Sequence, residues 1–589
     1  MRQIAATNEM SAKNKPSKIP ALVAVLSALA VGLPFLNKPI HIDDPFVLAV
    51  AEQICRDPLR PFSASFNWFH DPDPMFSIAT NPPFLSYWMA PVLAIFGPSE
   101  IALHLAMLPF LILMALAAVA LSRRFAQGSI WPILFIMLSP AVVVSSNVMR
   151  DVPGAALATA AVALVVAGTD RDRWSHVLLG SIFAGLAVVT KYSALIMVPV
   201  LALYPILQRK PRYLAGLLAG LAILGLWYLQ NYLVHGQIHF FVMRSKEQAN
   251  LNLMNMLAAA LVITGASFLV VPGLLAQAVR RGHWLALLGA AIIAAGTLLF
   301  LKKHYPGQTN FQYCLWAVLG AVLVSWVFVA GLFGVGSEKT NPTRNSDSPF
   351  SLASRLSPLT SLDSLFLVAW LVGPYLCGVL FVEFPAVRHI LPGVAPIALL
   401  AVRYTQQGGT GILPVKNHGQ NAHATTGPPN RWIGAFLGVG LVLQAIIAFW
   451  TAAADYQYAD TYRRFAREAA ETLKAKVAPG NRIWFAGHWG WQHYALKAGF
   501  RQIAEHGPDF PKTGDLVLTA DIVHKGNLPP GLQDRLEQIL PEKRYPARLN
   551  VVTMDWVYAS FYATFGTTSP QYYIRGQDYE VFRVFRVKP

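Results

Sequence analysis

The chain has 589 residues, 54% of them hydrophobic and only 13% charged, with a mean hydropathy of +0.43 and a formal net charge of +17. Soluble domains carry about 25% charged residues, so this balance excludes a soluble globular protein and implies an integral membrane protein. Before residue 454 there are 29 Lys+Arg against 16 Asp+Glu, and after it 18 against 14, so the positive excess lies among the apolar spans, as the positive-inside rule requires. No basic run interleaved with aromatics occurs, which argues against a nucleic-acid partner. Three cysteines, Cys55, Cys314 and Cys377, supply no disulfide framework.

In chain order, Lys13, Lys15 and Lys18 precede an apolar run from Ile19 to Phe35 and place the N-terminus (residues 1–18) in the cytoplasm. The run has no small-residue cleavage site and reads as a retained anchor. His41-Ile42-Asp43-Asp44-Pro45 follows on the far side. Two adjacent carboxylates at a membrane face are costly unless something uses them. Asp44-Pro45 also suits a plain helix start, an N-cap followed by Pro at N1. The first external loop runs over 37–100. Within it, Phe46, Val47, Val50 and Ile54 recur at helical spacing and predict a helix lying along the membrane surface. Asp57 to Pro83 reads as ordered loop. Phe84 to Phe96 is apolar but short. Asp43 is external and Arg123 and Arg124 cytoplasmic, so an odd number of crossings separates them. Leu103 to Leu121 supplies one, which makes Phe84–Phe96 a surface or re-entrant helix.

Spans near 129–147, 152–169, 174–190, 192–207, 213–233, 254–276, 284–301, 311–333, 363–383, 388–404 and 432–453 bring the total to about thirteen. Of the 29 cations before residue 454, this assignment puts 19 on the cytoplasmic side and 10 outside, with the C-terminus outside. Gly334–Asp363 reads as a flexible linker. The low-complexity insert at 405–431 holds His418 and His423 at a spacing ill-suited to a metal, and reads as inert. From 454 the composition turns soluble. A helix over Tyr456–Val477 precedes short β-like runs at Arg482–Phe485, Leu516–Leu518, Leu549–Val552 and Glu580–Val587, with a helix at Gln492–Ala498, predicting a small external α/β domain. Ala486 to His493, with two Trp and two His, suits either sugar stacking or a strand-to-helix turn with packed Trp.

Polar residues gather on the external face: Asp43 and Asp44, Asn81-Pro82-Pro83, Arg150-Asp151 after Ser139-Pro140, Lys191-Tyr192, and Glu383, Arg388 and His389 before Ile390-Leu391-Pro392. Each alone suits an interfacial charge snorkelling to water, Lys191 above all. That carboxylates and cations share one face is less ordinary.

These motifs, in this order, together with Asn81 to Trp88 and Phe96 to His104, resemble the GT-C superfamily of membrane glycosyltransferases. The branch is the one holding protein O-mannosyltransferases, lipid A aminoarabinose transferases and bacterial family 39-like enzymes. The resemblance covers the membrane portion, 19–404. It implies a GT-C type polytopic α-helical protein of the bacterial inner membrane, with about 13 transmembrane helices and the small C-terminal extracytoplasmic α/β domain over 454–589. It further implies transfer of a sugar, hexose or pentose, from a polyprenyl-phosphate donor to an external glycan, lipid or protein. By the same resemblance, Asp43 or Asp44 is the general base, and Lys191 and Arg388, with His389 a weaker candidate, hold the donor phosphate. Asp151 would orient Arg150 or contact the sugar. Relatives often have Asp-Glu at the acidic pair and His or Lys at the position of Asn81, whose amide can bond a sugar but cannot neutralise phosphate. No cofactor is required; a divalent ion at Asp43-Asp44 stays open, although two carboxylates are few ligands. A transporter or flippase would place its ionisable groups within spans and show internal repeats, whereas here they cluster at span ends. An inactive scaffold of the same fold also stays open.

Overall fold

The structure, a computed structural model, describes residues 17–246, 253–280, 282–307, 310–332, 362–380, 386–406, 431–507, 509–522, 526–555, 561–562, 572–574 and 576–589. Lys13, Lys15, Glu383, the 408–430 stretch of the insert and the 334–361 stretch of the linker lie outside them.

The first apolar run forms α1 (Ile19–Gly32), and a turn leads to α2 (Asp44–Arg56). α2 buries Phe46, Val47, Val50 and Ile54 and exposes Glu52, the division its spacing demands. The strands β1 (Ser65–Asn67) and β2 (Pro72–Pro74) make a small ribbon in the loop that follows. α2 packs on α3 (Phe84–Phe96), tied by the Ser86 hydroxyl donating to the Val47 carbonyl at 2.9 Å. With 13 residues α3 is about 20 Å long, short of the roughly 30 Å hydrocarbon layer.

The bundle continues through α4 (Glu100–Phe125), α5 (Asp151–Asp170), α6 (Trp174–Thr190), α7 (Met197–Leu207), α8 (Leu218–His235), α9 (Leu253–Ser267), α10 (Val271–Arg280), α11 (Trp284–His304), α12 (Phe311–Leu332), α13 (Leu362–Leu380) and α14 (Val394–Gln406). The chain is thus a mostly helical, multi-pass membrane protein. Among the described residues six helices are long and apolar enough to cross a membrane, or seven if α9 and α10, bent by 83°, form one span. Other stretches expected as spans are shorter or broken. Residues 129–147 fold as two short helices, Trp131–Met137 and Pro140–Val144, because Pro140 lacks the N–H that would continue the first. Residues 388–404 likewise open with a short helix, Val387–Ile390, and a tight turn at Pro392 before α14. α9 and α12 cross backbone to backbone: a Cβ on Gly265 would lie 1.9 Å from the Trp316 carbonyl oxygen, and one on Gly320 1.9 Å from that of Leu261. Only glycine allows this approach.

α15 (Arg431–Leu473) is one unbroken helix of 43 residues, about 65 Å long, where a membrane span and a separate external helix were expected. No Gly or Pro stands between Trp450 and Tyr458 to stop it. Its far half packs on a mixed sheet of β3 (Ile483–Phe485), β4 (Arg501–Gln502), β5 (Leu516–Ala520), β6 (Leu536–Gln538), β7 (Lys543–Pro546) and β10 (Asp578–Val587), with β8 (Val551–Val552) and β9 (Tyr573–Ile574) in a separate ribbon. β3 lies parallel to β4 and β5, while β10 pairs antiparallel with β5, β6 and β7. Phe465 of α15 stacks on Phe582 of β10, ring centroids 3.9 Å apart. The residues 486–493 form the strand-to-helix turn into α16 (Trp489–Lys497). Trp491 is fully buried among Phe465, Phe485 and Phe582 and donates to the Ala486 carbonyl, so its ring is core and presents no face to a sugar.

Candidate active site

The turn before α2 separates the two adjacent acids. Ile42 has φ of +46°, a conformation that costs a β-branched residue about 1–3 kcal/mol. Its side chain is 3% exposed, and burial of an isoleucine contributes about 1.5–3 kcal/mol, enough to hold the turn. Asp43 is partly exposed and forms an ion pair with Arg388. Asp44, 1% exposed, points into the protein, where one carboxylate oxygen accepts from the His41 N–H at 3.0 Å and the other has no hydrogen-bond partner among the described residues. Burial raises the Asp44 carboxyl well above the usual carboxylate range. The two residues are not interchangeable: only Asp43 faces the cations.

Arg150-Asp151, Lys191 and Arg388 reach the same place because helices start or stop there. Asp151 opens α5, Lys191 follows the last residue of α6, and Arg388 lies on the short helix before Pro392. Lys191 Nζ is 2.5 Å from Asp151 Oδ1 and also donates to the Arg388 carbonyl at 3.3 Å. Its pKa is lowered, chiefly by burial, which Asp151 counters. Arg150 is 7% exposed, with its guanidinium carbon 5.8 Å from the centre of the Phe46 ring and the charges of Asp43 and Asp151 close by. Two of its donors, Nε and Nη2, have no hydrogen-bond partner among the described residues. A buried guanidinium with unmade hydrogen bonds is costly, which makes this corner receptive to an anion. The cluster totals three cations against two carboxylates, a net of +1. Asn81 stands beside it, its amide oxygen accepting from the Tyr192 N–H at 3.2 Å. His389 is half-buried on the Arg388 helix, with its Cβ facing Gly378.

Residues 80–228 match the family described as dolichyl-phosphate-mannose-protein mannosyltransferase, a stretch that contains Asn81, Arg150, Asp151 and Lys191. The match spans a quarter of the chain and is a similarity of that segment. Three solved structures are similar at low identity. ArnT from Cupriavidus metallidurans matches in its apo state at 14% identity over 96% of this chain and 97% of that one, TM-score 0.41. Bound to undecaprenyl phosphate, it matches at 13% over 97% and 98%, TM-score 0.46. Arabinosyltransferase EmbB from Mycobacterium smegmatis matches at 15% over 75% and 42%, TM-score 0.31. No curated protein matches the sequence.

Around this segment the structure adds residues that carry no distinct signal in the sequence. Beyond Tyr192, a wall of rings closes one side: the Tyr192 hydroxyl lies 3.0 Å from His239 Nδ1 and accepts from Trp227 Nε1 at 3.0 Å, with Phe62 and Phe76 against His239. Burial pushes His239 down to about 3, so it stays neutral. Beneath the Asp43 turn lies a buried ionic network. Lys38 Nζ is 2.5 Å from both Asp455 Oδ2 and Asn147 Oδ1. Asp455 also accepts from the hydroxyls of Thr553 and Tyr562, each at 2.6 Å, and His41 Nε2 stands 3.5 Å away. The Phe561 carbonyl accepts from the Val387 N–H at 3.3 Å, one residue from Arg388. Thr553, Phe561 and Tyr562 therefore brace both the Asp43 side and the Arg388 side of the cluster.

The donor set does not suit a divalent ion. Asp43 and Asp151 are each taken by a cation, Asp44 is turned away, and among the described residues no three His, Cys, Asp or Glu side chains converge.

Proposed function

We propose that the protein is a membrane glycosyltransferase that moves a sugar from a polyprenyl-phosphate donor to an external acceptor hydroxyl, with Asp43 as general base. The observation that carries this reading is the buried Arg150, with two uncommitted donors, among Lys191, Arg388, Asp43 and Asp151. A phosphate at that point receives the unmade hydrogen bonds of Arg150 and draws Arg388 from Asp43. The Asp43 carboxylate, so released, accepts the proton of the acceptor hydroxyl. The hydroxyl oxygen then bonds to the sugar's anomeric carbon while the carbon–oxygen bond to phosphate breaks. Polyprenyl phosphate departs with the electron pair, and the three cations stabilise its growing charge. Asp151 keeps Lys191 in place, and Asn81 offers its amide to the sugar. The protein sits in a bacterial inner membrane with this cluster and the C-terminal sheet outside, the orientation its cation distribution supports.

The test is transfer from radiolabelled polyprenyl-phosphate sugars in membranes, comparing wild type with Asp43→Asn and Arg150→Gln at matched expression. Loss of transfer in both, with folding intact, supports the reading. A wild type that transfers from no donor overturns it.

A further inference from the structure

The helices that frame the candidate site leave a groove at their opposite end. α5 begins in the site at Asp151 and ends at Asp170, 20 residues on, which is about 30 Å away. The groove has a volume of about 600 Å³ and runs along α4 from Leu113 to Arg124, along α5 from Ala160 to Arg171, and along α6 from His176 to Phe183. Alanines make the hollow, Ala117 and Ala120 on one helix facing Ala160 and Ala163 on the next. From Leu113 to Arg124 the slot is roughly 17 Å long, about the depth of one hydrocarbon leaflet. Its volume lies within the roughly 300–1,000 Å³ of small-ligand sites.

The charges gather at one end only. Arg124 is committed to Asp170 and Asp363, each at 2.7 Å, and Asp170 also accepts from the Tyr204 hydroxyl, so this carboxylate is neutralised within the protein. Arg123 makes one donation, to the Ser17 carbonyl at 3.3 Å, and Arg171 has no ion-pair partner among the described residues. A slot one leaflet deep thus ends in two guanidinium groups with donors to spare.

We infer that this groove binds one anionic glycerophospholipid of the cytoplasmic leaflet, an acyl chain in the slot and the phosphate between Arg123 and Arg171. The polyprenyl donor does not fill the role, because its phosphate belongs at the other end of α5. A zwitterionic lipid offers the same chain but brings an ammonium towards the two arginines, so head-group charge sets the preference. Two arginines at an anionic surface favour the anionic lipid by roughly tenfold or more.

The experiment is native mass spectrometry of the full chain released from bilayer discs of equal phosphatidylglycerol and phosphatidylethanolamine. Wild type is expected to retain one phosphatidylglycerol, favoured about tenfold. The double variant Arg123→Gln/Arg171→Gln, altered only at the surface, should retain both lipids equally, and Ala163→Phe, which fills the slot, should retain neither. Equal retention by wild type, an unchanged preference in the double variant, or displacement of phosphatidylglycerol by an equal amount of undecaprenyl phosphate would each overturn the inference.

Discussion

Replacing Lys38 with Met tests the brace beneath the Asp43 turn. The side chain is nearly isosteric, so packing survives, while the carboxylate of Asp455, fully buried, loses the only cation within 3 Å of it among the described residues. Removing one partner of a buried pair costs about 3–5 kcal/mol. The hydroxyls of Thr553 and Tyr562 do not offset this, since they bond Asp455 before and after the change. Protonation sets the ceiling. At pH 7 an ordinary aspartate, pKa near 3.9, takes up a proton at a cost of about 4 kcal/mol, so the destabilisation saturates there. The ceiling falls by about 1.4 kcal/mol for each unit of pH, which leaves about 1.5 kcal/mol at pH 5. Thermal unfolding of detergent-purified protein should therefore show a drop of several degrees for Lys38→Met at pH 7, shrinking markedly at pH 5. Lys38→Met/Asp455→Asn should recover most of it, because no unpaired charge remains. An unchanged midpoint at pH 7, or a double variant worse than the single, refutes the assignment.

Further outcomes follow from the same geometry. Asp43→Asn should slow sugar transfer about 10²–10⁴-fold, whereas Asp44→Asn should stay within about tenfold of wild type, as measured with radiolabelled donor. Asp44 has a raised pKa in the fold, so above the carboxylate range its burial costs the folded chain stability relative to the unfolded one. That cost fades as pH falls to the carboxylate range, and Asp44→Asn should therefore be as stable as wild type or more so at pH 7 in thermal melts. His239 acts in the opposite sense. Its pKa of about 3 in the fold against 6.5 when unfolded removes stability as pH drops from 6.5 towards 3, at most about 4 kcal/mol, and His239→Gln should flatten the slope of midpoint against pH over that window. Gly265→Ala should lower the thermal midpoint by the equivalent of about 1–3 kcal/mol or more, since the new methyl meets the Trp316 carbonyl; a wild-type midpoint would refute the close crossing.

The candidate site was legible where charge stood out against apolar surroundings. Asp43, Arg150, Asp151, Lys191 and Arg388 each interrupt a hydrophobic run, and the structure gathers them at one point. Which of the two acids faces the cations was not legible, because it depends on a left-handed turn at Ile42, and nothing about an isoleucine announces that conformation. The network of Lys38, Asn147, Asp455 and Tyr562 was hidden for another reason. Its bonded partners lie up to 417 residues apart, and each read alone is an ordinary residue at the end of a span. The helix count suffered where Pro140 and Pro392 broke stretches that hydropathy treats as continuous. The single helix α15 was divided in reading because composition changes at residue 454 while helical propensity does not. Trp491 shows the converse: its neighbours in sequence suit a binding surface, and only the sheet reveals it as core.

The pairing of Lys38 with Asp455 also has a consequence in time. Ribosomes add about 5–20 residues per second, so Lys38 emerges roughly 20–80 s before its counter-ion is made. Through that interval the earliest loop sits at the membrane surface with its cation unanswered, and the Asp43 turn lacks its foundation. Tyr562, later still, adds the last support. A nascent chain cut short before the terminal sheet therefore lacks Thr553 and Tyr562, and the network beneath its first loop is incomplete until Tyr562 has been delivered.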